Sequence, residues 1–116
     1  MKRINALQVL NLENEGADHG EWIQKLVGHM GWVSTAQEAI DALTQTRADA
    51  VIIDGFSLEE AELIALEIRM QLEDVYIGII SEEVKHRERS EYADEVIPQS
   101  FMQLKETLAH RFSEAI

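Results

Sequence analysis

The sequence predicts a doubly wound α/β domain, in which a five-stranded parallel sheet lies between layers of helices. Three observations support this fold class. Apolar runs of strand length alternate along the chain with segments whose apolar residues recur at helical spacing. The runs at residues 50–53 and 75–80 contain no charged residue, which is typical of strands covered on both faces. The connections are short, as in right-handed crossover units.

The size of the chain favours one compact domain. It has 116 residues, of which 46% are hydrophobic and only one is proline. This length allows one continuous core and leaves no room for a second. We therefore expect a single domain over residues 1–116.

The first strand–helix unit is predicted from apolar spacing and end signals. Residues 4–12 form an apolar run that indicates a strand. Residues 19–30 have apolar side chains at helical spacing, with Asp18 as the N-cap and Gly31 as the stop. Trp22 is one of these apolar residues, and we expect it to pack in the core.

Capping boxes mark the next two helices. A short strand around residues 32–33, with Trp32 in the core, precedes the box TAQE at 35–38. Residues 48–53 predict the third strand, and the box SLEE at 57–60 opens the third helix. The apolar residues expected on the inner faces of the two helices are Ala36, Ala39, Ile40, Leu43, Ala61, Ala65, Ile68 and Leu72.

The last two units have weaker patterns. Residues 75–80 predict the fourth strand because they are apolar with β-branched bias. The polar stretch at 82–91 is weakly helical and is predicted as the fourth helix. Residues 95–97 predict a short fifth strand that Pro98 ends. The closing helix carries an apolar stripe of Phe101, Leu104, Leu108 and Phe112.

Composition excludes several classes of function. The formal net charge of −12 repels the phosphates of nucleic acids, so we expect no direct nucleic-acid binding. The absence of cysteine excludes disulfides, zinc–thiolate sites and thiol nucleophiles. No apolar stretch reaches the roughly 20 residues of a membrane span, and the N-terminus lacks a signal-peptide pattern. We therefore expect a cytoplasmic protein without membrane contact.

The candidate site residues are those that follow the predicted strands. Ligands of open α/β sheets bind beyond the carboxyl ends of the strands. The residues at these positions are Asn11, Glu13, Asp54, Ser81 and Gln99. Asp54 is the most informative of them, because a carboxylate there ends an apolar, β-favouring run.

Three motifs carry a family resemblance. VIID at 51–54, IIS at 79–81 and ADEVIPQSF at 93–101 resemble, in this order, the response-regulator receiver domains of the CheY-like superfamily. The resemblance covers essentially the whole chain. It implies a flavodoxin-like (βα)5 architecture and a place in two-component phosphorelay signalling. The family's phosphoacceptor aspartate matches Asp54, and its phosphate-sensing hydroxyl matches Ser81.

The chain departs from the family pattern at the other site positions. Asn11 and Leu12 replace an acidic pair that helps to hold Mg²⁺, and Glu13 lies one residue further on. Gln99 replaces a lysine that neutralises the phosphoryl group, and Val96 replaces the switch aromatic. The resemblance therefore implies a degenerate, or pseudo, receiver that binds no metal or other cofactor and performs no catalysis.

Structural roles compete with these functional ones. Asp54 is as well explained as a turn aspartate before Gly55 as it is as a phosphoacceptor. Ser81 is better explained as a helix cap, and Glu13 as a solvated loop residue. The four histidines, His19, His29, His86 and His110, share no metal-binding spacing and are expected at the surface.

The resemblance implies a signalling module that acts by binding proteins. The partners expected are a histidine kinase or an output domain, as for the regulatory domain of a transcriptional regulator. A homodimer through the last two strand–helix units is a further arrangement that the family uses. The interaction surface expected on that face comprises Lys85, Arg87, Arg89, Tyr92, Val96 and Lys105.

Two alternatives stay open. The first is a working phosphoacceptor, in which Glu13 and Asp54 hold Mg²⁺ and Lys85 reaches inward to replace the missing cation. A stoichiometric phosphoryl adduct on Asp54 would favour it. The second is a flavodoxin-like cofactor binder, which the absorbance of the purified protein would reveal.

Overall fold

The computed structural model describes residues 4–14 and 16–112, so both ends of the predicted domain lie outside the described part. Its strands are β1 (Asn5–Leu10), β2 (Gly28–Val33), β3 (Ala50–Asp54), β4 (Tyr76–Ser81) and β5 (Glu95–Pro98). Its helices are α1 (Gly20–Leu26), α2 (Ala36–Gln45), α3 (Leu58–Gln71) and α4 (Phe101–Arg111). None of these helices has the length and apolar character that crossing a bilayer requires.

The five strands form one sheet in the order β2-β1-β3-β4-β5, and every pairing is parallel. This is the doubly wound order of flavodoxin-like folds. The predicted fold class is therefore confirmed.

Helices cover both faces of the sheet. On one face, residues of α2 and α3 pack with β1, β3 and β4 in a core cluster that includes Ile40, Ile53 and Ile68. On the other face, residues of α1 and α4 form a second cluster that includes Ile23, Ile52 and Leu108. The continuous apolar runs of β3 and β4 follow from this, because both faces of those strands are buried.

The N-termini of α2 and α3 form at the predicted capping boxes. The hydroxyls of Thr35 and Ser57 accept hydrogen bonds from the backbone N–H groups of Glu38 and Glu60. Ser100 caps α4 in the same way. Each cap satisfies a backbone donor that a helix otherwise leaves without a partner.

The prediction for the first helix was wrong at both ends. The helix ends at Leu26, and residues 28–33 form β2 beside β1. The N-cap is His19, whose side chain makes no capping bond, whereas Asp18 accepts from the backbone N–H of Gly20. Pairing with β1 outweighs the helical spacing of Met30. Since β2 is an edge strand, Trp32 is 54% exposed and is not the core residue that was expected.

The predicted fourth helix does not form, and residues 82–94 are irregular. Side chains hold this segment instead. Arg69 donates to the backbone carbonyl of Tyr92 and to the carboxylate of Asp94. Glu88 and Val96 exchange two backbone hydrogen bonds in an isolated antiparallel bridge. Few apolar side chains of the segment reach the core, so a helix there would gain little from packing.

Candidate functional site

The parallel register brings the predicted site residues to one edge of the sheet. Leu10 pairs with Asp54, Asp54 pairs with Ile80, and Ser81 pairs with Pro98. Asn11, Asp54, Ser81 and Gln99 therefore end or follow neighbouring strands at the same edge. A cleft of about 410 Å³ opens there, and Asn11, Asp54 and Gln99 line it.

Asp54 is completely buried, and three hydrogen bonds hold its carboxylate. Oδ2 accepts from the amide nitrogen of Gln8 at 2.9 Å and from the backbone N–H of His19 at 2.7 Å. Oδ1 lies 2.6 Å from Nδ1 of His19. Both carboxylate oxygens thus have protein partners, as a buried charge requires.

The imidazole of His19 covers Asp54 on the side of the cleft. It is only 8% exposed, so the surface position predicted for it was wrong. Its second nitrogen, Nε2, lies 3.1 Å from the side-chain amide of Gln99. Its ring packs against Trp22 with 4.5 Å between the centroids. The ring thereby ties the start of α1 to β3 and to the end of β5.

Gln8 completes this arrangement from inside the sheet. Although it lies in the middle of β1, it is fully buried. Its amide nitrogen donates to Asp18 and to Asp54, each at 2.9 Å, and its oxygen lies 3.0 Å from Nε2 of His29. We call the group of Gln8, Asp18, His19, Asp54 and Gln99 the Asp54 cluster.

Two glycines allow the close packing around the Asp54 cluster. Gly55 has a φ of +89°, which L side chains rarely adopt, and this turn lets its carbonyl accept from the amides of Asn11 and Asn14. A β-carbon at Gly20 would lie 3.0 Å from the carboxylate of Asp18 and 3.2 Å from the amide oxygen of Gln8. A larger residue at position 20 would therefore push these groups apart.

The residues that follow β1 make local contacts or are exposed. The side chain of Asn11 donates to the Gly55 carbonyl at 3.0 Å and accepts from the backbone N–H of Glu13 at 3.0 Å. Leu12 is 57% exposed, and Glu13 is exposed in the loop. Within residues 4–14 and 16–112, no three His, Cys, Asp or Glu residues are placed to hold a metal ion together.

Ser81 takes part in a turn. Its hydroxyl accepts from the backbone N–H of Glu83 at 3.0 Å. The carboxylate of Glu83 in turn accepts from the backbone N–H of Leu58 at 2.6 Å, at the start of α3. The hydroxyl thus stabilises a local turn. It caps no helix, because none follows β4 before β5.

The cleft is acidic. Glu13, Glu82 and Glu83 line it, and no lysine or arginine is among the described residues of its wall. Lys85 is exposed and lies outside this wall. An anion in the cleft would therefore meet carboxylates without a compensating lysine or arginine, and the imidazole of His19 in the wall is already paired with Asp54.

The Asp54 cluster gives the protein a specific pH dependence. The hydrogen bond to Asp54 raises the pKa of His19 above its ordinary value of 6.5, against the opposing effect of burial, and the charge of Asp18 adds to the rise. As the pH rises, the unfolded chain therefore loses the proton of the His19 imidazole at a lower pH than the folded protein does. The stability from this pair is fully present below pH 6.5 and is lost as the pH rises through the folded pKa.

We expect this loss to appear in urea unfolding between pH 6 and pH 9. The wild type should lose more free energy of unfolding across that range than the variant His19→Gln. The variant keeps every other titrating group. The difference between the two proteins in the slope of unfolding free energy against pH therefore isolates the contribution of His19. Parallel slopes would show that His19 does not titrate with folding.

The sequence contained a signal for Gln8 but none for His19. A glutamine inside an otherwise apolar buried strand is a polar group that needs partners, and here its partners are Asp18 and Asp54. His19 precedes an ordinary helix, and nothing in its spacing distinguishes it from a surface residue. Its role depends on how α1 is placed against β3.

Comparisons with protein-family models, with curated proteins and with solved structures found no match to this chain.

Proposed function

We propose that this chain is a degenerate receiver-like signalling module, which binds protein partners and does not accept a phosphoryl group on Asp54. The observation that carries the proposal is the complete burial of Asp54 beneath His19, with partners on both carboxylate oxygens. The sheet order and the position of Asp54 at the end of β3 agree with the resemblance to receivers.

Phosphorylation of Asp54 would first require the Asp54 cluster to open. The attacking oxygen must approach phosphorus in line with the leaving group, and here each oxygen of Asp54 points at a donor of His19 or Gln8. The transferred group would also need cations to stabilise its charge. Gln99 occupies the position of the family's lysine, and its amide contacts His19.

The proposed partner surface is the exposed, highly charged region between β4 and β5 together with α4. Lys85, Arg87, Arg89 and Lys105 are exposed there. Arg87 and Arg89 also line a depression of about 480 Å³ beside α4. Glu88 and Glu91 are exposed in the same segment, so the surface carries both signs of charge and can fix the orientation of a partner through paired contacts.

Two residues of the predicted surface have to be removed from it. Val96 is 3% exposed, so its side chain contributes to the core. Tyr92 is half-buried and packs against the same core. The part of this surface between β4 and β5 has an irregular backbone, because the predicted fourth helix does not form. The partners proposed are those of the resemblance, a histidine kinase or an output domain, with this chain as the regulatory domain.

Incubation with Mg²⁺ and acetyl phosphate tests the proposal. We expect the intact mass of the wild-type protein to stay unchanged, because the Asp54 cluster blocks the carboxylate and the described wall of the cleft has no lysine or arginine. The variant Asp54→Asn is the matched control for phosphorylation at other sites. A stoichiometric phosphoryl adduct that Asp54→Asn abolishes would contradict the proposal and favour the working phosphoacceptor.

A further inference from the structure

The outward face of α3 carries an apolar stripe that the core does not use. Leu63 and Met70 are 58% and 72% exposed, and Leu66 is half-buried on the same face. The three residues are spaced i, i+3 and i+7, which places them in one row along a helix. The core-facing side of α3 is formed by other residues, namely Ala61, Ala65 and Ile68. We call Leu63, Leu66 and Met70 the α3 stripe.

Carboxylates surround the α3 stripe. Glu59 and Glu67 are exposed, and helical spacing places both on the outward side of α3. The cation of α3, Arg69, does not balance them. Its guanidinium donates to the carbonyls of Glu73 and Val75 and pairs with Asp94 at 2.8 Å, on the side of β4 and β5.

The α3 stripe continues into a depression at one end of the helix. Met70 lines this depression of about 750 Å³ together with Leu43 at the end of α2 and Leu72 at the end of α3. The charged residues of the same wall are Arg47, Asp49, Glu73, Asp74 and Arg111. The apolar surface available to a partner therefore extends beyond α3 itself, from a stripe flanked by carboxylates into a depression of mixed charge.

We propose that the α3 stripe is a docking site for an amphipathic helix of a partner protein, with an apolar face flanked by lysine or arginine. Seven residues of helix span about 10 Å, so two to three turns of a partner helix would cover the stripe. The apolar face of that helix would bury Leu63, Leu66 and Met70, and its cations would meet Glu59 and Glu67. This proposal does not depend on the state of Asp54.

Charge argues against a second copy of this chain as the occupant. A two-fold contact through α3 would bring Glu59 and Glu67 of one copy against the same carboxylates of the other. Like charges facing each other across an interface disfavour association. A net charge of −12 on each chain adds to that repulsion.

A pair of matched variants tests the proposal. The probe is a synthetic amphipathic helical peptide of leucine and lysine, titrated into ¹⁵N-labelled protein. The first variant is Leu63→Glu with Met70→Glu. The control is Leu12→Glu with Met102→Glu, which changes two hydrophobic residues that are 57% and 58% exposed elsewhere on the surface. Both variants add two negative charges, so general attraction to the peptide rises equally in both.

We expect the peptide to change the backbone amide chemical shifts of the wild type in α3 and at the end of α2. We also expect about tenfold or greater weakening in the α3 variant, because two apolar contacts at the centre of the site are lost. The control should bind as tightly as the wild type or more tightly. Equal affinities of the two variants, shifts away from α3, or equal binding of a leucine–glutamate peptide would overturn the proposal. A wild-type dimer in sedimentation that Leu63→Glu with Met70→Glu dissolves would also overturn it, since the occupant would then be a second copy.

Discussion

Replacing Asp54 with alanine is expected to lower the free energy of unfolding by about 3–5 kcal/mol, the usual cost of removing one partner of a buried ion pair. The substitution leaves the amide of Gln8, the backbone N–H of His19 and Nδ1 of His19 without their acceptor in a buried space. Urea unfolding followed by circular dichroism measures this loss. It is a large part of the stability of a small domain, which is about 5–15 kcal/mol.

Two further substitutions make this result interpretable. Asp54→Asn keeps the shape and one oxygen acceptor, so we expect a smaller cost of about 1–2 kcal/mol, measurable even if the alanine variant does not fold. Asp74→Ala removes an exposed carboxylate and should change stability by no more than about 0.5 kcal/mol. A cost below about 1 kcal/mol for Asp54→Ala would mean that Asp54 is not held as described.

Replacing Gln8 with leucine should cost about 2–4 kcal/mol, because hydrogen bonds to charged groups are the strong ones and their loss leaves buried groups unpaired. Leucine has a similar size and suits the apolar strand, so a simple hydrophobic argument would predict a gain. The structure predicts a loss instead, since Asp54 and Asp18 each lose a donor at 2.9 Å and His29 loses its contact.

Gln37→Leu is the matched control for this substitution. Gln37 is exposed on α2, and its amide donates to Asp41 at the surface. We expect its replacement to change stability by no more than about 0.5 kcal/mol. If Gln8→Leu were neutral or stabilising in the same unfolding experiment, Gln8 could not be a necessary part of the Asp54 cluster.

Most of the fold could be predicted from local patterns. The strands β3 and β4 could be predicted because burial of both faces makes them continuous apolar runs. The helices α2 and α3 could be predicted from their capping boxes. The boundary between α1 and β2 could not be predicted, since it depends on pairing with β1. The segment at 82–94 has few apolar contacts and takes its shape from distant partners such as Arg69.

The candidate site was predicted in position but not in its chemistry. The topology alone places Asp54 and Gln99 at the same edge of the sheet. The groups that determine what Asp54 can do are Gln8 and His19, which are 46 and 35 residues away from it in the chain. No local spacing rule connects residues so far apart, so their contact with Asp54 became visible only in three dimensions.

The contact between His19 and Asp54 is the basis of the proposed function, and NMR of the histidine side chain tests this contact most directly. We expect an Nδ1-bound proton of His19 that exchanges slowly with water, that disappears in Asp54→Ala, and that Mg²⁺ with beryllofluoride does not shift. An Nδ1 proton of His19 that exchanges rapidly with water would contradict the proposed function. So would a His19 signal that moves when those two reagents bind at Asp54.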